Sequence, residues 1–180
     1  PDRAWSQPNV SIPIFMRKII ADLCAVCYTE PIMEQTDIFS LLPEQTQAKI
    51  AALGIKEPTA VQRRVFPLID GGADILFQSE TGTGKTFAYM LPLAGKLERN
   101  GDKTSVKLLI AAPTFELASQ INSAAKQISG RRTALLIGGA PIRRQIEALK
   151  EKPQIVIGTP ARLVELAHLK KLKLPELTAV

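Results

Sequence analysis

Asp74-Ile75-Leu76-Phe77-Gln78-Ser79-Glu80-Thr81-Gly82-Thr83-Gly84-Lys85-Thr86 is the stretch on which the fold turns. Its first five residues form a short apolar run of the kind that suits a buried strand. A glycine-containing turn follows over Thr81 to Gly84. Beyond it Phe87, Met90, Leu91, Ala94 and Leu97 recur at helical spacing. Strand, glycine turn and helix in that order make a phosphate-binding loop. Glycines let the backbone turn tightly, so that N–H groups point inward at phosphate oxygens. The helix N-terminus adds its positive dipole end. Lys85 then reaches the β- and γ-phosphates as a point charge, and the Thr86 hydroxyl can ligate Mg²⁺. The general pattern has a glycine where this chain has Ser79. The bland reading is a surface turn with an exposed lysine.

Outward from this loop the pattern alternates. Glu44 to Leu53 reads as a helix opened by Pro43 and closed by Gly54, and Thr59 to Leu68 as a second. Pro92 is expected to kink or shorten the helix after the loop. Val106 to Ala112, Thr133 to Ile137 and Gln154 to Ile157 read as strands. Helices are expected between and after them: Leu117 to Ile128 stopped by Gly130, Pro141 to Lys150, and Pro160 to His168. Ile142, Ile146 and Leu149 should face inward. Leu177 to Val180 looks like the start of a further strand. Strands that are apolar throughout, separated by helices, predict an α/β fold with a parallel sheet covered by helices on both faces.

Composition bounds the rest. The chain has 180 residues, enough for one domain, with 46% hydrophobic and 22% charged residues. That usage excludes wholesale disorder and collagen-like repeats. Aromatics are only 5%, which argues against an RNA binder built mainly on stacking platforms. Lys+Arg 23 against Asp+Glu 17 leaves +6, compatible with a polyanionic partner. Cys24 and Cys27 form a lone CxxC, and the one histidine, His168, is far away, so a zinc site lacks ligands. Without a disulfide framework, a cytoplasmic location is the default. Arg17, Lys18 and Asp22 interrupt the apolar stretch Ile12 to Tyr28, which argues against a membrane span or signal peptide. Residues 1–32 show no sustained period and read as an extension of uncertain origin. The regular domain is expected over 33–180.

The chain resembles the DEAD-box RNA helicases from about Phe39 onward. Gly54-Ile55-Lys56-Glu57-Pro58-Thr59-Ala60-Val61-Gln62 is similar to the Q motif, and Ser79 to Thr86 to motif I. Pro113-Thr114-Phe115-Glu116-Leu117-Ala118-Ser119-Gln120 is similar to motif Ia. Gly138-Gly139 is similar to the GG motif, and Thr159-Pro160-Ala161-Arg162 to motif Ib. The resemblance implies the first RecA-like P-loop domain of an ATP-dependent RNA helicase. It implies ATP with Mg²⁺ as cofactors and RNA as partner. Phe39, Lys56, Thr59, Gln62, Ser79, Glu80, Thr81, Gly82, Thr83, Gly84, Lys85 and Thr86 would hold the nucleotide. Lys85 and Thr86 would act in catalysis, Thr86 through the metal. Pro113, Thr114, Gly138, Gly139, Thr159 and Arg162 would form the RNA track.

Several of these residues have a second reading. A carboxamide at Gln62 can read the adenine edge, but Thr59-x-x-Gln62 is also a capping box. Phe39 is the candidate aromatic stacked on the base. Thr114 can cap its helix or, with helix N-terminal amides, meet an RNA phosphate. Gly138-Gly139 permits close approach of a sugar-phosphate chain or makes a plain turn. Arg162 can hold a phosphate. All three RNA motifs follow strands, at the sheet edge where α/β folds place ligands.

The chain also departs from the family pattern. Phe115 stands where motif Ia usually has arginine, and Ala161 where motif Ib usually has glycine. No Asp-Glu-Ala-Asp motif occurs. The domain is therefore expected to be incomplete at its C-terminus, one part of a two-domain protein, with negligible ATP hydrolysis of its own. A non-hydrolysing nucleotide- or RNA-binding module and another kind of P-loop NTPase are the alternatives.

Overall fold

The computed structural model describes residues 37–101 and 105–180. The Cys24–Cys27 pair and the extension over 1–32 lie outside the described residues. Helix α1 spans Glu44–Ala52, α2 Ala60–Asp70 and α3 Lys85–Asn100. Strand β1 (Leu108–Ala111) leads to α4 (Phe115–Ser129), β2 (Thr133–Leu136) to α5 (Ile142–Lys150), and β3 (Ile155–Gly158) to α6 (Pro160–His168). The helix ends follow local chemistry. Thr59 and Thr114 cap α2 and α4 with their hydroxyls, and Gly130, at φ 60°, closes α4 in the left-handed conformation.

The three strands are parallel in the order β1-β3-β2. Leu108, Ile155 and Thr133 stand in one row, and Leu109, Val156 and Ala134 in the next. Side chains alternate along a strand, so successive rows face opposite sides of the sheet. The burial follows. Leu108, Ile155 and Ile157 join Phe66, Met90, Leu91, Ile121 and Ile128 in one core under α1 to α4. Val156, Ala134 and Leu136 join Leu163 and Leu166 in a second, against which Ile142, Ile146 and Leu149 of α5 pack. Helices thus cover both faces, as the apolar strands predicted. Leu177 to Val180 also behaves as expected: Ala179 bridges Leu108 in parallel, and the Leu109 amide donates to its carbonyl at 3.1 Å.

Two expectations need correction. Asp74 to Gln78 belongs to no strand of the sheet. The segment alternates half-buried Ile75 and Phe77 with exposed Leu76 and Gln78, and among the described residues no strand forms a ladder with it. Of the two effects expected of Pro92, a kink or a shortening, the shortening does not occur: α3 continues for 16 residues to Asn100. The flanking residues Met90, Leu91, Ala94 and Leu97 are all buried, so packing outweighs the one backbone hydrogen bond that proline removes.

Candidate functional site

The phosphate loop is built by bonds among its own residues. The Thr83 hydroxyl donates to the Glu80 carbonyl at 2.9 Å. Its single proton is then used, so the 2.7 Å contact with Ser79 has the Ser79 hydroxyl as donor. The serine in place of a first glycine is therefore a strut within the turn. The Lys85 ammonium donates to the Ser79 carbonyl at 2.5 Å and also to the Glu80 carbonyl. Those two oxygens hold the charge against the loop backbone, where phosphate oxygens would compete for it.

Gly84 is the N-cap of α3, with φ at +88°. A Cβ there would lie 2.6 Å from Gln62 Nε2 and 3.5 Å from Thr59 Oγ1. The loop is thus pressed directly onto the start of α2. Gln62 is buried, and its carboxamide is engaged at both ends. Its oxygen accepts from the Thr59 amide at 3.0 Å, while Thr59 Oγ1 accepts from the Gln62 amide at 3.4 Å. Gln62 Nε2 donates to the Gly84 carbonyl at 3.4 Å. The capping box is therefore present, and it is joined to the phosphate loop. One N–H and one lone pair of the carboxamide remain for a further partner.

Thr86 lies in the first turn of α3, one helical turn before Tyr89. Burial pushes the Tyr89 hydroxyl above its ordinary value, and the nearby Thr86 side chain opposes that shift in part. The donor set fits Mg²⁺–ATP: one hydroxyl, one ammonium and a turn in which Gly82 and Gly84 carry no Cβ. Mg²⁺ normally takes few protein ligands and keeps waters and phosphate oxygens. Among the described residues no group of three His, Cys, Asp or Glu could hold a metal by itself. Phe39 packs half-buried against the main core, and Lys56 is exposed. No hydrogen bond joins either to residues 79–86 among the described residues.

The other named residues gather at one sheet edge. Pro113-Thr114 follows β1, Thr159 follows β3, and Gly138-Gly139 follows β2. Because the strands are parallel, these three points lie side by side in the order 114, 159, 138. Thr114 Oγ1 accepts from the Leu117 amide at 3.2 Å, so its cap is made. Thr159 makes no such side-chain cap. Gly138 and Gly139 are exposed. The mostly buried Arg162 guanidinium donates through Nη1 to the Ala140 carbonyl at 3.2 Å and pairs through Nε with Glu165 at 2.9 Å. These two bonds leave N–H donors on the guanidinium free to meet a phosphate.

Gln145 is a residue that sequence reasoning missed. It is buried on α5, and its carboxamide bonds the backbone at Ile137 and Ala140, on either side of the glycine pair. The available signal was a polar residue inside the inward stripe of Ile142, Ile146 and Leu149.

Comparisons with known proteins place the chain in a family. The family model described as DEAD/DEAH box helicase matches residues 59–180. Similar curated proteins include the DEAD-box ATP-dependent RNA helicase CshC of Bacillus cereus and the RNA helicase CrhR of Synechocystis sp.. They are 43% identical over 133 and 136 residues, covering 71% and 74% of this chain. The matches cover 33% and 27% of those proteins, so the chain spans about a third of their length. Among solved structures, a DEAD box protein from the hyperthermophile Methanococcus jannaschii aligns with a TM-score of 0.69 and 31% identity, over 76% of this chain and 38% of that one. The DEAD-box helicase Mss116 bound to ssRNA and UDP-BeF aligns with a TM-score of 0.69 and 30% identity, over 75% of this chain and 30% of that one. The RecA-like α/β arrangement expected from the sequence is the arrangement these structures share.

Proposed function

The chain belongs to the DEAD/DEAH box helicase family, and from that footing we propose that it supplies the ATP grip and part of the RNA track of an ATP-dependent RNA helicase. The observation that carries the reading is the contact at Gly84 between the phosphate loop and the first turn of α2. Gln62 of the capping box donates to the carbonyl of Gly84, the residue that closes the phosphate turn and caps α3. A nucleobase beside Gln62 and phosphates in the turn would therefore be sensed by one connected unit.

The chain's residues have distinct tasks in this reading. Lys85 exchanges two backbone carbonyls for phosphate oxygens and neutralises their charge. Thr86 offers its hydroxyl to the Mg²⁺ that accompanies the nucleotide. Bound Mg²⁺ would supply charge stabilisation on the phosphates. Gln62 uses its remaining donor and acceptor on the adenine edge. Thr59, Ser79 and Thr83 fix the loop, and Lys56 and Phe39 flank the base side. On the RNA side, Pro113, Thr114, Gly138, Gly139, Thr159 and Arg162 offer helix N-termini, hydroxyls and one cation along the sheet edge.

The 180 residues contain no Asp-Glu-Ala-Asp carboxylates. Phosphoryl transfer depends on positioned water and charge stabilisation, so these residues alone should bind nucleotide without appreciable turnover. Among the described residues, no helix is long and apolar enough to cross a membrane. A cytoplasmic protein fits the reading.

Lys85→Ala tests it. Loss of Mg²⁺–ATP binding with RNA binding retained is the expected result. Unchanged nucleotide affinity would undo the assignment of the loop.

A further inference from the structure

We propose that Gln145 is a positioning residue for RNA binding, bracing the Gly138-Gly139 turn together with Arg162. The inference rests on the RNA-track reading above and assigns a task to a residue outside its motifs. The turn itself has no side chains to hold it. Both glycines are exposed, and Gly139 lies at φ +77°. A glycine pair has more conformational freedom to lose than any other dipeptide. Its shape must therefore be imposed from its ends.

The structure places side chains at both ends. Gln145, only 5% exposed, accepts through Oε1 from the Ile137 amide at 3.1 Å and donates through Nε2 to the Ile137 carbonyl at 2.9 Å. It thereby gives the residue just past β2 the two hydrogen bonds that a neighbouring strand would give. The same Nε2 donates to the Ala140 carbonyl at 3.2 Å, on the far side of the glycines. Arg162 Nη1 reaches that carbonyl from α6, also at 3.2 Å. Ala140 O thus receives donors from two helices, one of which begins at the motif expected to meet RNA. A turn held in this way presents its backbone N–H groups in one arrangement, and preorganisation of that kind raises affinity by lowering the ordering cost.

The experiment uses the full chain and its Gln145→Leu and Gln145→Glu variants, well below their unfolding transitions. Three quantities are read: affinity for a labelled single-stranded oligouridylate, affinity for Mg²⁺–ATP, and amide exchange at residues 138–140. Gln145→Leu should bind the RNA about tenfold more weakly, hold Mg²⁺–ATP unchanged, and exchange faster at the turn. Gln145→Glu keeps the acceptor but, when ionised, faces two carbonyl oxygens without a donor. Its RNA affinity should recover toward wild type as pH falls, because the protonated carboxyl donates again. A folded Gln145→Leu protein with RNA affinity within about twofold of wild type overturns the proposal. So does parallel loss of RNA and nucleotide binding, which marks a general structural effect. Should Gln145→Leu not fold, the pH dependence of Gln145→Glu decides alone: no recovery overturns it. A wild-type chain that fails to bind RNA overturns the RNA track and the binding half of this proposal, and the exchange rates then decide the bracing half.

Discussion

Gly84 is the residue where backbone conformation meets the proposed nucleotide site. Its φ of +88° is strained for any residue with a Cβ, and that Cβ would also strike Gln62 Nε2. Gly84→Ala should lower stability by about 1–2 kcal/mol, measured by denaturant unfolding, and weaken Mg²⁺–ATP binding at least about tenfold. The double reading of Gln62 is resolved by pairing it with Thr59. Thr59→Ala removes the hydroxyl cap alone and should cost about 1 kcal/mol of stability with the preference for ATP over GTP retained. Gln62→Ala should lose stability and that preference together. Equal nucleotide selectivity in both variants would leave Gln62 as a cap only. The cap was legible from the Thr59-x-x-Gln62 spacing, whereas the link from Gln62 to Gly84 was not. That link joins residues 22 apart in sequence, and no local pattern encodes it.

At the level of elements, what could be read depended on where each element finds its partners. Helix α6 was expected over Pro160 to His168 and spans those residues, because proline at its start and apolar spacing act locally. The parallel ladders followed from apolar runs flanked by helices. Asp74 to Gln78 had the same apolar character yet belongs to none of the strands among the described residues. Gly158 shows how close such pairing is. A Cβ on it would sit 2.3 Å from the Leu136 carbonyl on β2 and 3.0 Å from Leu163 Cδ2 on α6. Neither backbone nor packed side chain can retreat cheaply, so Gly158→Ala should destabilise the fold by about 3 kcal/mol. Calorimetry checks this, and a change under about 0.5 kcal/mol would show that β2, β3 and α6 are more loosely packed than described. Thr114→Ala should cost about 1 kcal/mol through the α4 cap.

For the molecule as a whole, the sheet gathers Thr114, Thr159 and Gly138-Gly139 on one edge because all three strands run the same way. The sequence order made that edge predictable, but not the order of the strands or the bracing from Gln145. The +6 net charge says little about this edge by itself. Of the residues placed there, Arg162 alone is cationic, and it is already tied to Ala140 and Glu165. Exposed Phe115 stands where an arginine was expected. Phe115→Arg should steepen the log–log slope of RNA affinity against salt by about 0.7. Unchanged slope in that variant would place the RNA elsewhere. The central claim is that residues 79–86 and Gln62 form one nucleotide-binding unit. Backbone and side-chain amide resonances of the isotope-labelled chain, followed during titration with Mg²⁺–ATP, test it most directly. Saturable shifts are expected at Thr81 to Thr86 and at the Gln62 carboxamide, abolished by Lys85→Ala, with Gly138 and Gly139 unmoved. Absent shifts in the loop, or shifts that persist in Lys85→Ala, would contradict it.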